Sequence, residues 1–147
     1  MALLRVFLGV KFLQHGIAKW SWFGTGDLKH QLTVWMQGDS PAAYTTYIPF
    51  LSKFIVPHAA IYSYMVVLGE LAVGALLVLG LTSRLAALIA LFMSANYLLA
   101  TWNLGFEWQA VNEAFIAIEA AILITGAGRT GGVDTALARR RPGWPIW

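Results

Sequence analysis

The chain has 147 residues, of which 59% are hydrophobic and 12% charged, with a net charge of +3 and no cysteine. Soluble domains hold roughly 45–50% apolar and about 25% charged residues, so this composition favours a membrane-embedded domain. The lack of cysteine excludes disulfides, thiolate metal sites, iron–sulfur clusters and cysteine nucleophiles, and the small net charge does not suggest a nucleic-acid partner.

Four apolar segments approach the length of about 20 residues that a helix needs to cross a bilayer. They are residues 2–22, 59–81, 85–102 and 108–126. Together they take up more than half of the chain, which leaves no separate soluble domain. The sequence predicts a single all-α integral membrane domain over 1–147, a four-transmembrane-helix bundle in contact with membrane lipids.

Basic residues are distributed unevenly between the predicted loops. Lys29 and Lys53 fall in the long first loop, and the arginines fall on the opposite side: Arg5, Arg84, Arg129 and the run at 139–141. Cytoplasmic loops carry the excess of Lys and Arg. We therefore expect a multi-pass protein of a bacterial or archaeal cytoplasmic membrane, with both termini and the tail 127–147 in the cytoplasm.

The first loop, residues 23–57, is too long to lack secondary structure in a compact domain. Ser40-Pro41 is typical of an N-cap followed by a first helical turn. Before it, four apolar residues recur at helical spacing: Leu28, Leu32, Trp35 and Met36. We expect two short amphipathic helices in this extracytoplasmic loop, lying on the membrane surface or covering the bundle.

Two features are expected after the fourth span. Gly126 and Gly128 are predicted to end the helix as C-cap glycines. Asp134 is predicted to cap a short helix, residues 135–140, whose arginines lie against anionic headgroups.

Ionisable residues interrupt three of the four apolar segments. Lys11, His15 and Lys19 are spaced four apart on one face of the first span, whereas Glu70 lies in the second span and Glu119 in the fourth. An ionisable residue in hydrocarbon costs roughly 2.5–3.5 kcal/mol on insertion scales unless it finds a partner or water. We expect these groups to converge inside the bundle.

Small and polar residues indicate which helix faces point inward. Gly9 and Gly16 form a strip beside the basic face of the first span that allows a second helix to approach closely. In the third span one face carries small and polar residues: Ala87, Ala90, Ser94, Tyr97 and Thr101.

Two interpretations of the interior cluster are open. Either Lys11 and His15 pair with Glu70 and Glu119 only to orient the helices, or the four residues form a proton-coupled redox site or an anion pocket. A b-type haem on His15 and His58 is not favoured, because His58 lies at a helix entrance and the two depths match poorly. A zinc or iron site is not favoured either, because no two ligands lie one turn apart on one helix.

Several stretches resemble the DoxX/DoxD family of small four-helix membrane proteins. The opening pattern of that family, Arg, Gly, then His-Gly-x-x-Lys, is similar to Arg5, Gly9 and the segment 15–19. The segments 69–74 and 80–87 resemble its second span and basic turn. The ending at 126–129 and 133–137 is also similar, although Gly131-Gly132 departs from the serine–leucine usual before the aspartate.

The resemblance implies a quinone-linked activity. Some members are the membrane subunit of thiosulfate:quinone oxidoreductase, which works with a second small subunit, and others are scaffolds for oxidative-stress and sulfur-handling enzymes. On the redox interpretation quinone is the candidate cofactor, and protons pass through a catalytic group of His15, Glu70, Glu119 and Lys11. The substrate anion would be attracted on the outer side by Lys19, His30, Lys53 and His58.

The alternative is a non-catalytic accessory or scaffold subunit of a larger respiratory or photosynthetic membrane complex. Small size, an aromatic outer rim and the lack of cofactor motifs suit that class equally well. A small-solute transporter is less favoured, because no pair of helices is broken by Gly or Pro at the midplane.

Overall fold

The computed structural model describes residues 1–38 and 40–140, and over these ranges the chain is helical and contains no strand. In chain order the helices are α1 (Ala2–Ala18), α2 (Asp27–Met36), α3 (Ile48–Phe50), α4 (Ala59–Leu79), α5 (Ser83–Ala100), α6 (Phe106–Thr125) and α7 (Asp134–Arg140). The last part of the predicted tail, residues 141–147 with Arg141 of the arginine run, lies outside the described residues.

Three helical segments are long and apolar enough to cross a membrane: Ile48–Leu79, Ser83–Ala100 and Phe106–Thr125. They correspond to the second, third and fourth predicted spans. Five of the six ends are shifted by one or two residues, and the first segment begins 11 residues earlier than predicted, at Ile48. The first helix is shorter than its predicted segment: α1 has 17 residues and is followed by a 3-10 turn at Trp20–Trp22. At 1.5 Å per residue, α1 is about 25 Å long.

The helix α2 forms where the apolar stripe predicts it, but the second loop helix begins later than predicted. Ser40 is not an N-cap; the helical run starts at Ile48 with Pro49 in its first turn. The prediction is wrong because the proline that opens the helix is Pro49 and not Pro41. The run continues through a π turn and a 3-10 turn into α4. Pro57 lies at this irregularity, where its missing N–H interrupts the α-helical ladder.

The long helices associate as two pairs. Helix α1 packs along α4 and α5 packs along α6, whereas α4 and α5 contact each other less. A Cβ added to Gly74 of α4 would lie 2.8 Å from the carbonyl oxygen of Gly9, and one added to Gly16 would lie 2.9 Å from the side chain of Leu71. This confirms that the strip of small residues on α1 is a surface of close helix approach.

Two apolar cores stabilise this arrangement. The central core joins α1, α4, α5 and α6, and its buried residues include Leu8, Phe12, Val73, Leu77, Ala90 and Ile122. The second core lies under the first loop and is formed by Leu28, Leu32, Ala43 and Leu51, with Trp35 and Met36 packed against it. The apolar stripe of α2 therefore faces the protein.

The segment after α6 folds back onto the turn between α4 and α5. Gly126 has a φ of +58° and ends α6, as predicted. Gly128 is not a cap: a Cβ there would lie 2.1 Å from Asp134 Oδ2, so this glycine is required by packing. Asp134 Oδ1 and Oδ2 accept the backbone N–H groups of Thr82 and Ser83, at 2.7 and 2.8 Å. The prediction that Asp134 caps its own helix is wrong, because its carboxylate caps α5.

Candidate functional site

An ion pair between Lys19 and Glu70 lies at the centre of the candidate site. Glu70 is on α4 and is 1% exposed, and Lys19, immediately after α1, is 18% exposed. The Lys19 ammonium also lies 4.6 Å from the ring centroid of Tyr97 and 5.6 Å from that of Trp22. Its charge is therefore stabilised by a carboxylate and by two aromatic faces.

Tyr97 of α5 completes this cluster. Its hydroxyl donates a hydrogen bond to Glu70 Oε1 at 2.7 Å and accepts one from Lys19 Nζ at 3.4 Å. Glu70 Oε2 is buried and has no hydrogen-bond partner among residues 1–38 and 40–140. The sequence placed Tyr97 on an inward face but did not identify it as a site residue. The signal was the helical spacing of Ser94, Tyr97 and Thr101 along one apolar span.

Glu119 of α6 is held separately. It is fully buried, and its Oε1 accepts the hydroxyl of Ser94 at 2.7 Å. Its Oε2, like that of Glu70, has no hydrogen-bond partner in the part of the chain that the structure describes. Ser94 and Tyr97 lie three residues apart on α5, so this helix holds both buried carboxylates through hydroxyl groups. The prediction that both carboxylates turn into the protein interior is confirmed.

The predicted pairing of Lys11 and His15 with these carboxylates is wrong. The Lys11 ammonium lies 5.7 Å from the ring of Phe7 on its own helix. The imidazole of His15 packs edge-on against Phe115 of α6, with 6.4 Å between ring centroids. For Lys11 the reason is depth, because Glu70 pairs with Lys19, which lies two helical turns beyond Lys11 along the same face. His15 lines the same cavity as Glu70, but its ring packs against Phe115 and Lys19 takes the carboxylate.

The other three residues of the predicted anion-binding group, His30, Lys53 and His58, do not join the cluster of Lys19, Glu70 and Tyr97. His30 and Lys53 are exposed on the first-loop helices, and His58 is exposed with its Nδ1 3.2 Å from the carbonyl oxygen of Phe54. Within residues 1–38 and 40–140 no hydrogen bond or ion pair links these three side chains to Lys19 or to one another. The anion-binding role of Lys19, His30, Lys53 and His58 stays a prediction.

A small cavity of about 60 Å³ lies on one side of Glu70. Its polar lining consists of His15, Glu70, Ser94, Tyr97 and Asn112, and aromatic rings of α1 and α6 complete the wall. A space of this size with several polar groups suits a few water molecules.

A larger cavity of about 380 Å³ lies between α2, the Ile48–Leu79 run and α5. Its lining is mostly apolar and includes Trp22, Trp35, Met65, Phe92 and Met93. Small-molecule sites in proteins have this size and this mixture of apolar walls with a few polar groups.

Polar groups reach the lining of the larger cavity from Tyr47, Tyr62, Asn96 and Tyr97. The Tyr47 hydroxyl donates a hydrogen bond to Asn96 Oδ1. Burial raises the pKa of Tyr47 above its usual range, so the phenol remains a donor at neutral pH. Tyr97 lines both cavities, and its hydroxyl reaches Glu70.

This arrangement can hold an amphipathic molecule and exchange a proton with it. A buried carboxylate with one unpartnered oxygen is next to a water-sized cavity, and a phenol connects it to an apolar cavity. In the described part of the chain, no three His, Asp or Glu side chains are grouped so that they could hold a metal ion.

Apolar helices of membrane-crossing length around buried carboxylates define a helical membrane protein. A comparison with protein families then identifies it further: the family model described as DoxX matches residues 1–102, and the chain belongs to the DoxX family. The match contains α1 to α5, and hence Lys19, Glu70 and Tyr97, whereas Glu119 follows it. No solved structure matches the chain.

Proposed function

We propose that this protein is the membrane subunit of a quinone-linked oxidoreductase that acts on thiosulfate or a related small sulfur anion. The observation that carries the proposal is the apolar cavity of about 380 Å³ whose polar lining groups include Tyr97, the hydroxyl partner of Glu70. In this proposal α1 is a fourth membrane-crossing helix, because it packs along α4, and both termini are cytoplasmic in a bacterial or archaeal cell.

The residues present suit a quinone. Its ring is flat and apolar and carries two carbonyl oxygens, which need hydrogen-bond donors. The Asn96 amide donates one N–H to the Phe92 carbonyl and keeps a second that a quinone oxygen can accept. The phenol of Tyr97 also lies at the cavity wall, with its proton in the hydrogen bond to Glu70, and Trp22 and Trp35 supply aromatic surface for the ring. A bound quinone would supply two-electron redox chemistry that this cysteine-free chain lacks.

A route from the lipid is present on the same side of the protein. Met65 and Phe92 line the cavity and are also 60% and 69% exposed. They lie on α4 and α5, the neighbouring helices with fewer mutual contacts. A hydrophobic quinone dissolved in the bilayer would enter between these two helices.

Binding is tested with the protein's own tryptophans. Decylubiquinone is titrated into the detergent-purified protein, and quenching of tryptophan fluorescence is followed. We expect saturable quenching that the double variant Trp22→Phe, Trp35→Phe largely loses. Val66→Phe narrows the cavity and should weaken binding at least tenfold, whereas Leu68→Phe on the exposed face of the same helix should not. Equal, non-saturable quenching in all variants would overturn the site.

Activity is tested on membranes from cells that express the chain. Thiosulfate-dependent reduction of decylubiquinone is measured with and without the Val66→Phe substitution. We expect the activity to fall with the loss of quinone binding. A protein that binds quinone but shows no activity with thiosulfate or other small sulfur anions contradicts the proposed substrate and leaves the quinone site standing.

A second candidate is an accessory or scaffold subunit of a larger membrane complex. It is favoured by the exposure of α6, a helix in which only Glu119 and Ile122 are buried. Its apolar residues Phe106, Trp108 and Ile124 are more than half exposed. Such a face suits lipid or a second membrane subunit. Solubilisation in mild detergent distinguishes the candidates, because an accessory subunit is recovered with a large complex and shows no quinone-dependent activity alone.

A further inference from the structure

We propose that Glu70 and Tyr97 form a proton relay from the small cavity to the large one. This inference rests on the proposed function and goes beyond it by naming a path and by assigning Tyr97, which the sequence did not identify, as the residue that contacts the ligand. The two cavities meet at Tyr97, which lines both.

The first step of the path is Glu70 Oε2. This atom is buried and unpartnered, and Glu70 lines the small cavity. A buried carboxylate oxygen without a partner is costly, and a water in the cavity would remove that cost. His15 is exposed and lines the same cavity, so water bound there is close to the protein surface.

The second step is the hydrogen bond from Tyr97 to Glu70 Oε1, at 2.7 Å. When a ligand oxygen in the large cavity becomes basic on reduction, the Tyr97 hydroxyl rotates its hydrogen from Glu70 Oε1 towards that oxygen and gives it the proton. Glu70, protonated from the water of the small cavity, replaces the proton on the phenol oxygen. Each cycle takes one proton from solvent through that water and delivers one, so the water, Glu70 and Tyr97 end unchanged. A quinone takes up two protons with its two electrons, and the second reaches the other carbonyl oxygen from solvent by a separate path. The two electrons come from the sulfur anion of the proposed function.

Lys19 positions this relay without carrying the proton. Its ammonium pairs with Glu70 and lies over the ring of Tyr97. It therefore keeps the phenol and the carboxylate in one orientation. Glu119 does not belong to the path: its partner is Ser94, and it lines neither cavity.

The test uses the purified protein in nanodiscs with bound decylubiquinone. The quinone is reduced and reoxidised electrochemically with soluble mediators, and time-resolved infrared difference spectra record the transient protonation of carboxyl groups during the reduction. We expect a deuterium-sensitive carboxyl band that is lost in Glu70→Gln. The matched control is Glu119→Gln, which removes a second buried carboxyl and should leave the band in place.

Binding and rate are measured on the same samples. Tyr97→Phe should slow quinol formation at least tenfold while the Kd for decylubiquinone stays within about threefold, since positioned proton donors contribute roughly 10²–10⁴-fold. Asn112→Leu removes one polar group from the lining of the small cavity, where water would bind, without changing the relay pair. It should slow the reaction as well, which keeps the proposal testable if Glu70→Gln does not fold.

The outcomes separate the two proposals. If decylubiquinone binds but the spectra and rates of Glu70→Gln, Tyr97→Phe and Asn112→Leu equal those of the unsubstituted protein, the relay is wrong and the quinone site stands. If decylubiquinone does not bind, the proposed function fails and the relay fails with it.

Discussion

Asp134 Oδ2 accepts the backbone N–H of Ser83 at 2.8 Å, so the first residue of α7 caps the N-terminus of α5 from 51 positions along the chain. The backbone reinforces this contact, because the Asp134 N–H donates to the Gly80 carbonyl at 2.8 Å. The segment after α6 is thus part of the bundle, and it fixes the turn between the two helices that border the large cavity.

The cap at Asp134 gives a stability prediction. Replacing a capping carboxylate with alanine costs about 0.5–2 kcal/mol, and the N–H groups of Thr82 and Ser83 lose their partner in a buried place. We expect Asp134→Ala to lower the free energy of unfolding by about 1–3 kcal/mol, measured in mixed detergent–dodecyl sulfate micelles. Glu113→Ala removes an exposed carboxylate of α6 and should change it by less than about 0.5 kcal/mol. Equal losses would show that Asp134 is not a cap.

Alanine substitutions at Gly80 and Gly26 distinguish the cost of backbone strain from the cost of close packing. Both glycines have positive φ, +65° and +77°. A Cβ at Gly80 would lie 1.4 Å from Arg5 Nη1, whereas one at Gly26 has no neighbour within 4 Å. We expect Gly26→Ala to cost about 1 kcal/mol from strain alone. Gly80→Ala should cost at least about 2 kcal/mol more, because that Cβ would also lie 2.7 Å from the Gly132 Cα, so backbone as well as the buried Arg5 must shift.

The measurement is unfolding of both variants in the same mixed micelles. If Gly80→Ala and Gly26→Ala lower the free energy of unfolding equally, backbone conformation alone accounts for Gly80, and the packing of Arg5 against it carries no weight.

Much of the fold follows from the sequence. Apolar length located the helices Ala59–Leu79, Ser83–Ala100 and Phe106–Thr125 within about two residues. Helical periodicity located α2 and the small-residue strip of α1. These features depend on local composition and spacing, which a sequence displays directly.

Contacts between segments that are distant in the chain were not predictable from the sequence in the same way. Glu70 was recognised as an interior carboxylate, but its partner depends on how far α1 slides along α4. That offset is set by the contact of Gly9 with Gly74, and it brings Lys19 and not Lys11 to Glu70. Asp134 was recognised as a cap, but the helix that it caps depends on the packing of the segment after α6 against the turn between α4 and α5.

The close contact of α1 and α4 gives a third prediction. A Cβ at Gly74 would lie 2.7 Å from the side chain of Leu13 and 2.8 Å from the Gly9 carbonyl, whereas one at Gly69 on the same helix would meet only Met93 at 3.5 Å. We expect Gly74→Ala to lower the free energy of unfolding by about 1–3 kcal/mol, because two backbones must separate. Gly69→Ala should be neutral or slightly stabilising, because alanine favours a helix by up to about 1 kcal/mol.

The readout is thermal unfolding of the two variants in one detergent, followed by near-ultraviolet circular dichroism. An unchanged midpoint for Gly74→Ala would mean that α1 does not rest on α4 at this glycine, and the depth argument for Lys19 would lose its basis.

The ion pair of Lys19 with Glu70 gives the fourth prediction. Removing one member of a buried pair costs about 3–5 kcal/mol, because the other charge remains buried without compensation. Lys19 is 18% exposed, so we expect Lys19→Met to cost less, about 1–3 kcal/mol. Lys11→Met is the matched control on the same face, and it should cost under about 0.5 kcal/mol, since Lys11 has an aromatic neighbour and no carboxylate partner.

The double variant Lys19→Met, Glu70→Gln decides between a charge effect and a packing effect. If the cost of Lys19→Met comes from the carboxylate left behind, neutralising Glu70 restores part of the lost stability, and the two single changes are non-additive by at least about 1 kcal/mol. Additive losses mean that the Lys19 stem, packed against Trp22 and Tyr97, supplies the stability and that the charge of Glu70 is balanced elsewhere. The relay also depends on this result, because Lys19 orients Glu70 and Tyr97 only if its charge is coupled to that carboxylate.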